Sequence, residues 1–104
     1  MTVDHKLWRF VFDRDRGICR YCGVDLLASF SAYWSATVDH VQARSANGPD
    51  DQDNLVCSCP ACNSMLSRSK ELVTFETRKA YVDKRRAAEM AGYEVWRAEM
   101  RGAE

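Results

Sequence analysis

Hydrophobic residues near the start of the sequence recur at helical spacing. Leu7, Phe10 and Val11 fall on one side of a helix, and either Thr2 or Asp4 can cap its first turn by accepting backbone hydrogen bonds. The pattern therefore predicts an N-terminal helix that packs on the rest of the chain through this side.

A second and longer helical pattern runs from about residue 74 to residue 101. Gly92 lies inside it, costs a helix about 1 kcal/mol relative to alanine, and predicts a kink or a break. We therefore expect a long helical extension after a smaller core. Its apolar side is formed by Phe75, Val82, Met90, Tyr93, Trp96 and Met100.

Shorter elements are predicted between the two helices. The segment "DLLASFSAYWSA" predicts one or two short helical turns whose aromatic residues pack in the core. The β-branched segments "ATVDHV" and "NLVCS" predict two strands, and the polar loop "QARSANGPDDQD" between them would let the strands pair antiparallel. Pro60 suits the first position of a further helix.

Length and composition limit the class of protein. The 104 residues are expected to form a single domain, which at this size needs a structural staple. With no signal-peptide pattern and no apolar run near the ~18 residues of a membrane span, we expect a cytoplasmic protein without a membrane partner.

Charge is balanced overall but not along the chain. A net charge of zero argues against a general polyanion binder, whereas residues 66–86 hold seven basic residues against three acidic ones. Such a run is either a solvated helix face or a phosphate-contacting surface, and the sequence leaves both open.

Five cysteines carry the strongest local signal. Cys19 and Cys22 form one C-x2-C pair, Cys59 and Cys62 form another, and 36 residues separate the pairs. In a reducing compartment this spacing predicts one tetrahedral zinc ion held by four thiolates, a closed site that is structural rather than catalytic. Cys57 lacks the spacing and is predicted to be a buried free thiol. The alternative is four buried reduced cysteines without metal.

Three stretches of this sequence together indicate one protein family more specifically than any one of them does alone. "CRYCG", "TVDHVQARS" and "DNLVCSCPACN", within about residues 10–70, resemble an HNH endonuclease of the zinc-stapled ββα-metal type. The resemblance implies an α+β fold: a small treble-clef-like ββα-metal core with a four-cysteine zinc site, flanked here by the two helices. It also implies a metal-dependent DNA endonuclease that leaves 5′-phosphate and 3′-hydroxyl ends.

The same resemblance assigns roles to four residues. His40 would be the general base, and Asp39 and Asn63 would hold the catalytic divalent cation, whereas the hydrogen bonds of Asn54 would fix a loop and orient the histidine. The chemistry fits the residue types, because an imidazole titrates near neutral pH and hard oxygen ligands suit Mg²⁺ or Mn²⁺. Neighbours on a regular strand point to opposite faces, however, so Asp39 and His40 share a site only at an irregularity or at the strand's edge.

The resemblance is incomplete at the nucleic-acid contacts. Many relatives carry lysine or histidine where this chain has Leu66, and Arg68 or Lys70 would then replace that phosphate contact. Arg44 is a further candidate for contacting phosphate. The family commonly works in the minor groove of duplex DNA with weak sequence preference, so specificity would come from the C-terminal helix, the loop at 44–53, a homodimer partner or another protein.

Two other functions remain open at this level. The chain could be a non-catalytic zinc module that binds nucleic acid or protein, in which Asp39, His40 and Asn63 have lost their roles. It could also use the same site on RNA.

Overall fold

The computed structural model describes residues 3–102, which form four helices and one small antiparallel sheet. This is the α+β architecture that the sequence predicts. Two single 3₁₀ turns, Arg44–Ala46 and Gln52–Asn54, lie in the loop between the strands. The elements in chain order are α1 (His5–Arg14), α2 (Phe30–Trp34), β1 (Thr37–His40), β2 (Leu55–Ser58), α3 (Pro60–Leu66) and α4 (Phe75–Arg101).

Helix α1 is capped by Asp4, whose side chain accepts hydrogen bonds from two backbone N–H groups of the first turn. Thr2, the other predicted cap, lies outside the described residues. The predicted core-facing side is wrong at Phe10, which is exposed, because the helix turns Phe12 inward instead. Val11 is fully buried and Leu7 packs against it, as predicted, and Trp8 stacks on Phe12 with ring centroids 4.8 Å apart.

The two predicted strands pair antiparallel, with Val38 opposite Cys57 and His40 opposite Leu55. Every residue of β2 is buried. Helix α3 follows directly, with Pro60 at the start of its first turn and the Cys59 sulfur accepting a hydrogen bond from the backbone N–H of Cys62. The strand pair and the position of Pro60 are as the sequence predicts.

The segment before β1 differs from its prediction. Leu26 is buried, but Phe30 and Trp34 are 72% and 76% exposed and stack on each other with centroids 5.6 Å apart. Helix α2 has only five residues. Its contact with α1 is made by Tyr33, which meets Trp8 and Phe12 edge-on, so the other two rings remain outside the core.

Helix α4 runs through Gly92 without a break. Its first turns pack on the body through Val82, which is fully buried, and through Phe75, which stacks on Tyr21 at a centroid distance of 5.5 Å. The apolar side then continues past the body, where each of its residues is more than half exposed: Met90, Tyr93, Trp96 and Met100. None of the helices within residues 3–102 is long and apolar enough to cross a bilayer.

Candidate metal centre and catalytic cleft

The four predicted zinc ligands meet in one place. The sulfur atoms of Cys19, Cys22, Cys59 and Cys62 all lie within 4.8 Å of one another. A tetrahedral zinc ion ~2.3 Å from each sulfur requires sulfurs roughly 3.8 Å apart. The Sγ atoms of Cys22 and Cys59 are 3.7 Å apart, so the cluster fits zinc.

Local backbone geometry builds each half of this centre. After Cys19 the chain turns back on itself, and its carbonyl accepts a 2.9 Å hydrogen bond from the N–H of Gly23. Gly23 has a φ of 82°, a left-handed conformation that side chains other than glycine disfavour. The other two ligands are supplied by the start of α3. The staple therefore joins the loop after α1 to the helix that carries Asn63.

Close packing of the four thiols shifts their pKa values in opposite directions. Hydrogen bonds from the thiols of Cys59 and Cys62 lower the pKa of Cys19, and the contact with Cys19 raises the pKa of Cys62. A divalent cation at the centre would favour all four thiolates at once.

Cys57 lies outside the four-cysteine group, although it is fully buried. Its backbone N–H donates to Asp15 Oδ2 at 2.9 Å, and its carbonyl accepts from the N–H of Arg20 at 2.9 Å. Burial, followed by the negative charge of Asp15, raises the pKa of the Cys57 thiol to about 12. The side chain is thus a neutral, packed thiol.

A cleft of about 340 Å³ lies between the end of β1, the following loop and α3. Asp39, His40 and Asn63 all line it, together with Arg44, Lys70 and Arg78. Asp39 and His40 share the cleft because it lies at the end of β1, where His40 is the last strand residue. The structure therefore meets the geometric condition set by alternation along the strand.

Asp39 is held by two donors. Its Oδ2 atom accepts one hydrogen bond from the Tyr21 hydroxyl at 2.9 Å and another from Arg78 Nη2 at 2.7 Å. Burial and the charge of Asp39 raise the pKa of Tyr21, so the phenol stays protonated and donates. Sequence reasoning missed Arg78; the available signal was a charged residue on the apolar side of α4, between Phe75 and Val82.

His40 also has a charged neighbour. Its Nε2 atom lies 2.7 Å from Asp50 Oδ1. Arg44 donates to the same carboxylate from Nε at 2.8 Å and from Nη2 at 2.7 Å. The arginine that the sequence predicts to contact phosphate is therefore paired with Asp50. Hydrogen bonds from Arg44 and then from His40 lower the pKa of Asp50 to about 2. Asp50 was not singled out from the sequence, where it is one of several loop aspartates.

Asn54 is not among the residues that line the cleft, and it closes the loop between the strands. Its Oδ1 atom accepts from the N–H of Gln42 at 2.9 Å, and its Nδ2 atom donates to the carbonyls of Gln42 and Pro49, both at 3.0 Å. The Asn54 carbonyl accepts from the N–H of Val41 at 2.9 Å. These bonds fix the chain immediately after His40.

The basic candidates separate by position. Lys70 is exposed and lines the cleft one turn beyond Leu66, which is buried in its wall. Arg68 is exposed and lies outside that wall. The structure thus brings Lys70, and not Arg68, to the face that Asp39 and His40 share.

Comparison with known families agrees with this geometry. No curated protein matches the chain. Residues 19–69, about half of the chain, match the family model described as HNH endonuclease. This range includes all four cysteines and the cleft residues from β1, the loop and α3. The chain therefore carries an HNH endonuclease domain.

Proposed function

We propose that this chain is a metal-dependent endonuclease that hydrolyses the phosphodiester bonds of DNA. The observation that carries the proposal is the convergence of Asp39, His40 and Asn63 in one cleft of an HNH domain stapled by four cysteines. We take residues 1–104 as one nuclease domain. A centre of reduced thiols suits a reducing compartment, so the expected location is cytoplasmic.

His40 acts as the general base in this proposal, with Asp50 orienting it. The low pKa of Asp50 keeps the carboxylate ionised, so its Oδ1 atom accepts a hydrogen bond from the Nε2–H of a neutral imidazole. The Nδ1 atom then keeps its lone pair and takes a proton from water. The oxygen of that water bonds to phosphorus as the P–O3′ bond breaks, and the leaving 3′ oxygen takes a proton from solvent water, giving 5′-phosphate and 3′-hydroxyl ends.

The oxygen atoms of Asp39 and Asn63 provide hard ligands that suit Mg²⁺ or Mn²⁺. Such an ion, when bound, supplies charge stabilisation for the phosphate and the leaving oxygen. Both described hydrogen bonds to Asp39 are accepted by Oδ2, so Oδ1 is the oxygen that would bind the ion. The half-buried Asn63 comes from the first turn of α3, directly after the last cysteine ligand.

Lys70 is the best-placed phosphate contact. Asp39 is paired with Arg78 and Asp50 with Arg44, so the charges of these two pairs largely cancel within the cleft. Lys70 adds a positive charge beside these pairs, and Arg68 would contact the phosphate backbone further along the DNA strand. Contacts of this kind position duplex DNA without reading bases, so sequence preference is expected to be weak unless a homodimer partner or another protein supplies it.

Plasmid cleavage with Mg²⁺ or Mn²⁺ tests the activity. His40→Ala should abolish nicking and linearisation while keeping the zinc and the far-ultraviolet circular dichroism of the parent chain. His5→Ala is the matched control, because this other histidine is exposed on α1 and should leave cleavage unchanged. Cleavage by His40→Ala at the parent rate would refute the assigned base.

Substrate class requires a separate comparison. Duplex DNA, single-stranded DNA and RNA of the same sequence, incubated side by side, should show fastest cleavage of the duplex DNA. Preferential cleavage of RNA would keep the site chemistry but overturn the substrate assignment.

A non-catalytic zinc module is the second candidate. The observation that favours it is that Asp39 is already paired with Arg78 and His40 is already hydrogen-bonded to Asp50. Titration with Mn²⁺ separates the candidates, since a nuclease should bind a divalent ion beyond zinc and lose it in Asp39→Ala. A module of the second kind binds zinc alone.

A further inference from the structure

We propose that Arg78, on α4, is a positioning residue that holds Asp39 in the orientation needed to bind the catalytic divalent cation. This inference rests on the proposed nuclease function and extends its machinery to a residue beyond the matched family segment. Arg78 itself touches neither water nor phosphate in this role. It acts through the carboxylate.

The guanidinium is fixed at three points. Besides Asp39, it donates from Nε to the Tyr21 hydroxyl at 3.0 Å and from Nη1 to the Leu72 carbonyl at 3.1 Å. The Arg78 side chain is only 4% exposed and that of Asp39 only 12%. Because Tyr21 also donates to Asp39, the three side chains form a closed triangle of hydrogen bonds. A carboxylate held in this way cannot rotate without breaking two bonds on Oδ2.

Docking of α4 does not by itself explain a buried arginine. Burying a charge is costly unless its partners are well placed, and an apolar side chain at such a position is often as stabilising. Val82, on the same side of α4, packs without any charge, and Lys79 anchors the helix to the Tyr21 carbonyl at 2.9 Å while staying 43% exposed. What Arg78 adds beyond these contacts is the fixed orientation of Asp39.

The change in cation affinity when Arg78 is replaced distinguishes the positioning role from two others, in which Arg78 competes with the cation or only docks α4. A positive charge beside Asp39 repels a divalent cation, so a competing Arg78 would give tighter binding when removed. An arginine that only docks α4 would give no change in a folded variant. A positioning arginine gives weaker binding despite the lost repulsion, and residues that orient a metal ligand typically change affinity by ~10–100-fold.

The experiment measures Mn²⁺ dissociation constants of the zinc-loaded full chain by electron paramagnetic resonance. Arg78→Met should raise the constant about 10–100-fold, and Tyr21→Phe, which removes one of the two donors to Oδ2, should raise it by less. Lys79→Met is the matched control, because it removes an α4 anchor that does not touch Asp39, and it should stay within about twofold of the parent. Zinc content and circular dichroism establish that each variant is folded.

The outcomes distinguish this inference from the function on which it rests. If the parent binds no Mn²⁺ that Asp39→Asn removes, the proposed nuclease site is wrong. If the parent binds it and Arg78→Met binds equally or more tightly, the positioning role is overturned. Should Arg78→Met lose its zinc, Arg78→Lys keeps the charge without the planar fork and decides the question by the same criterion.

Discussion

Replacing Asn54 by alanine should open the loop that follows His40. The substitution removes three side-chain hydrogen bonds, one from the N–H of Gln42 and two to the carbonyls of Gln42 and Pro49. At a net ~1 kcal/mol each, the loss amounts to about 3 kcal/mol of local stability. Because roughly 1.4 kcal/mol changes an equilibrium tenfold, the open population of the loop should rise about 100-fold.

Hydrogen exchange measured by NMR reads this change directly at the amide of Gln42, whose acceptor is the deleted side chain. Its protection should fall about 100-fold in Asn54→Ala. Asn54→Asp should have an intermediate effect, since a carboxylate keeps the acceptor for Gln42 but places negative charge against two carbonyls. Gln52→Ala is the control, because this exposed amide side chain lies in the same loop and makes no contact described in the structure.

One result would contradict the interpretation that the hydrogen bonds of Asn54 hold the loop after His40. If protection at Gln42 in Asn54→Ala stayed within about threefold of the parent, contacts other than Asn54 would hold the loop, and its effect on His40 would need another explanation. The assay depends on no activity, so it remains valid whether or not the chain cuts DNA.

Three further predictions concern the staple, the long helix and the buried thiol. Cys22→Ser should abolish stoichiometric zinc binding and unfold the chain, as seen by circular dichroism, because zinc affinity is folding free energy in such centres, whereas Cys57→Ser should keep one zinc per chain. Gly92→Ala should raise the stability by about 1 kcal/mol in urea unfolding, since a Cβ there meets nothing within 4 Å; a loss of stability would contradict the continuous helix. Folding raises the pKa of Cys57 to about 12 from an ordinary 9.0, so the stability it provides is complete below pH 9 and is lost as pH rises towards 12. Urea unfolding between pH 9 and pH 11 should therefore show a loss of up to ~1.4 kcal/mol per pH unit in the parent that Cys57→Ala does not share.

Local patterns in the sequence were sufficient for much of the fold. The cysteine spacing predicts the four-sulfur centre, and β-branched runs and a proline predict β1, β2 and the start of α3, because each signal reflects contacts within a few residues. Asp39, His40 and Asn63 were selected by resemblance, and the structure brings them to one cleft. Their catalytic roles stay predictions.

Other features depend on contacts between distant segments. Arg78 meets Asp39 across 39 residues, and no local pattern identifies which aspartate a buried arginine will pair with. Asp50 meets His40 across a loop that Asn54 holds at Gln42 and Pro49. The exposure of Phe30 and Trp34 was missed for a related reason, since hydrophobicity alone does not say how much core a five-residue helix can reach.

The pairing of Asp39 with α4 bears on where this HNH domain can be divided. The matched segment ends at residue 69, yet Arg78 also lines its cleft and Val82 is fully buried in its core. A fragment cut at residue 70 would keep all four sulfurs and Asn63 while leaving Asp39 without its cationic partner. Any graft of this domain onto another protein would have to carry the first turns of α4, whereas the exposed turns after Gly92 could be exchanged independently.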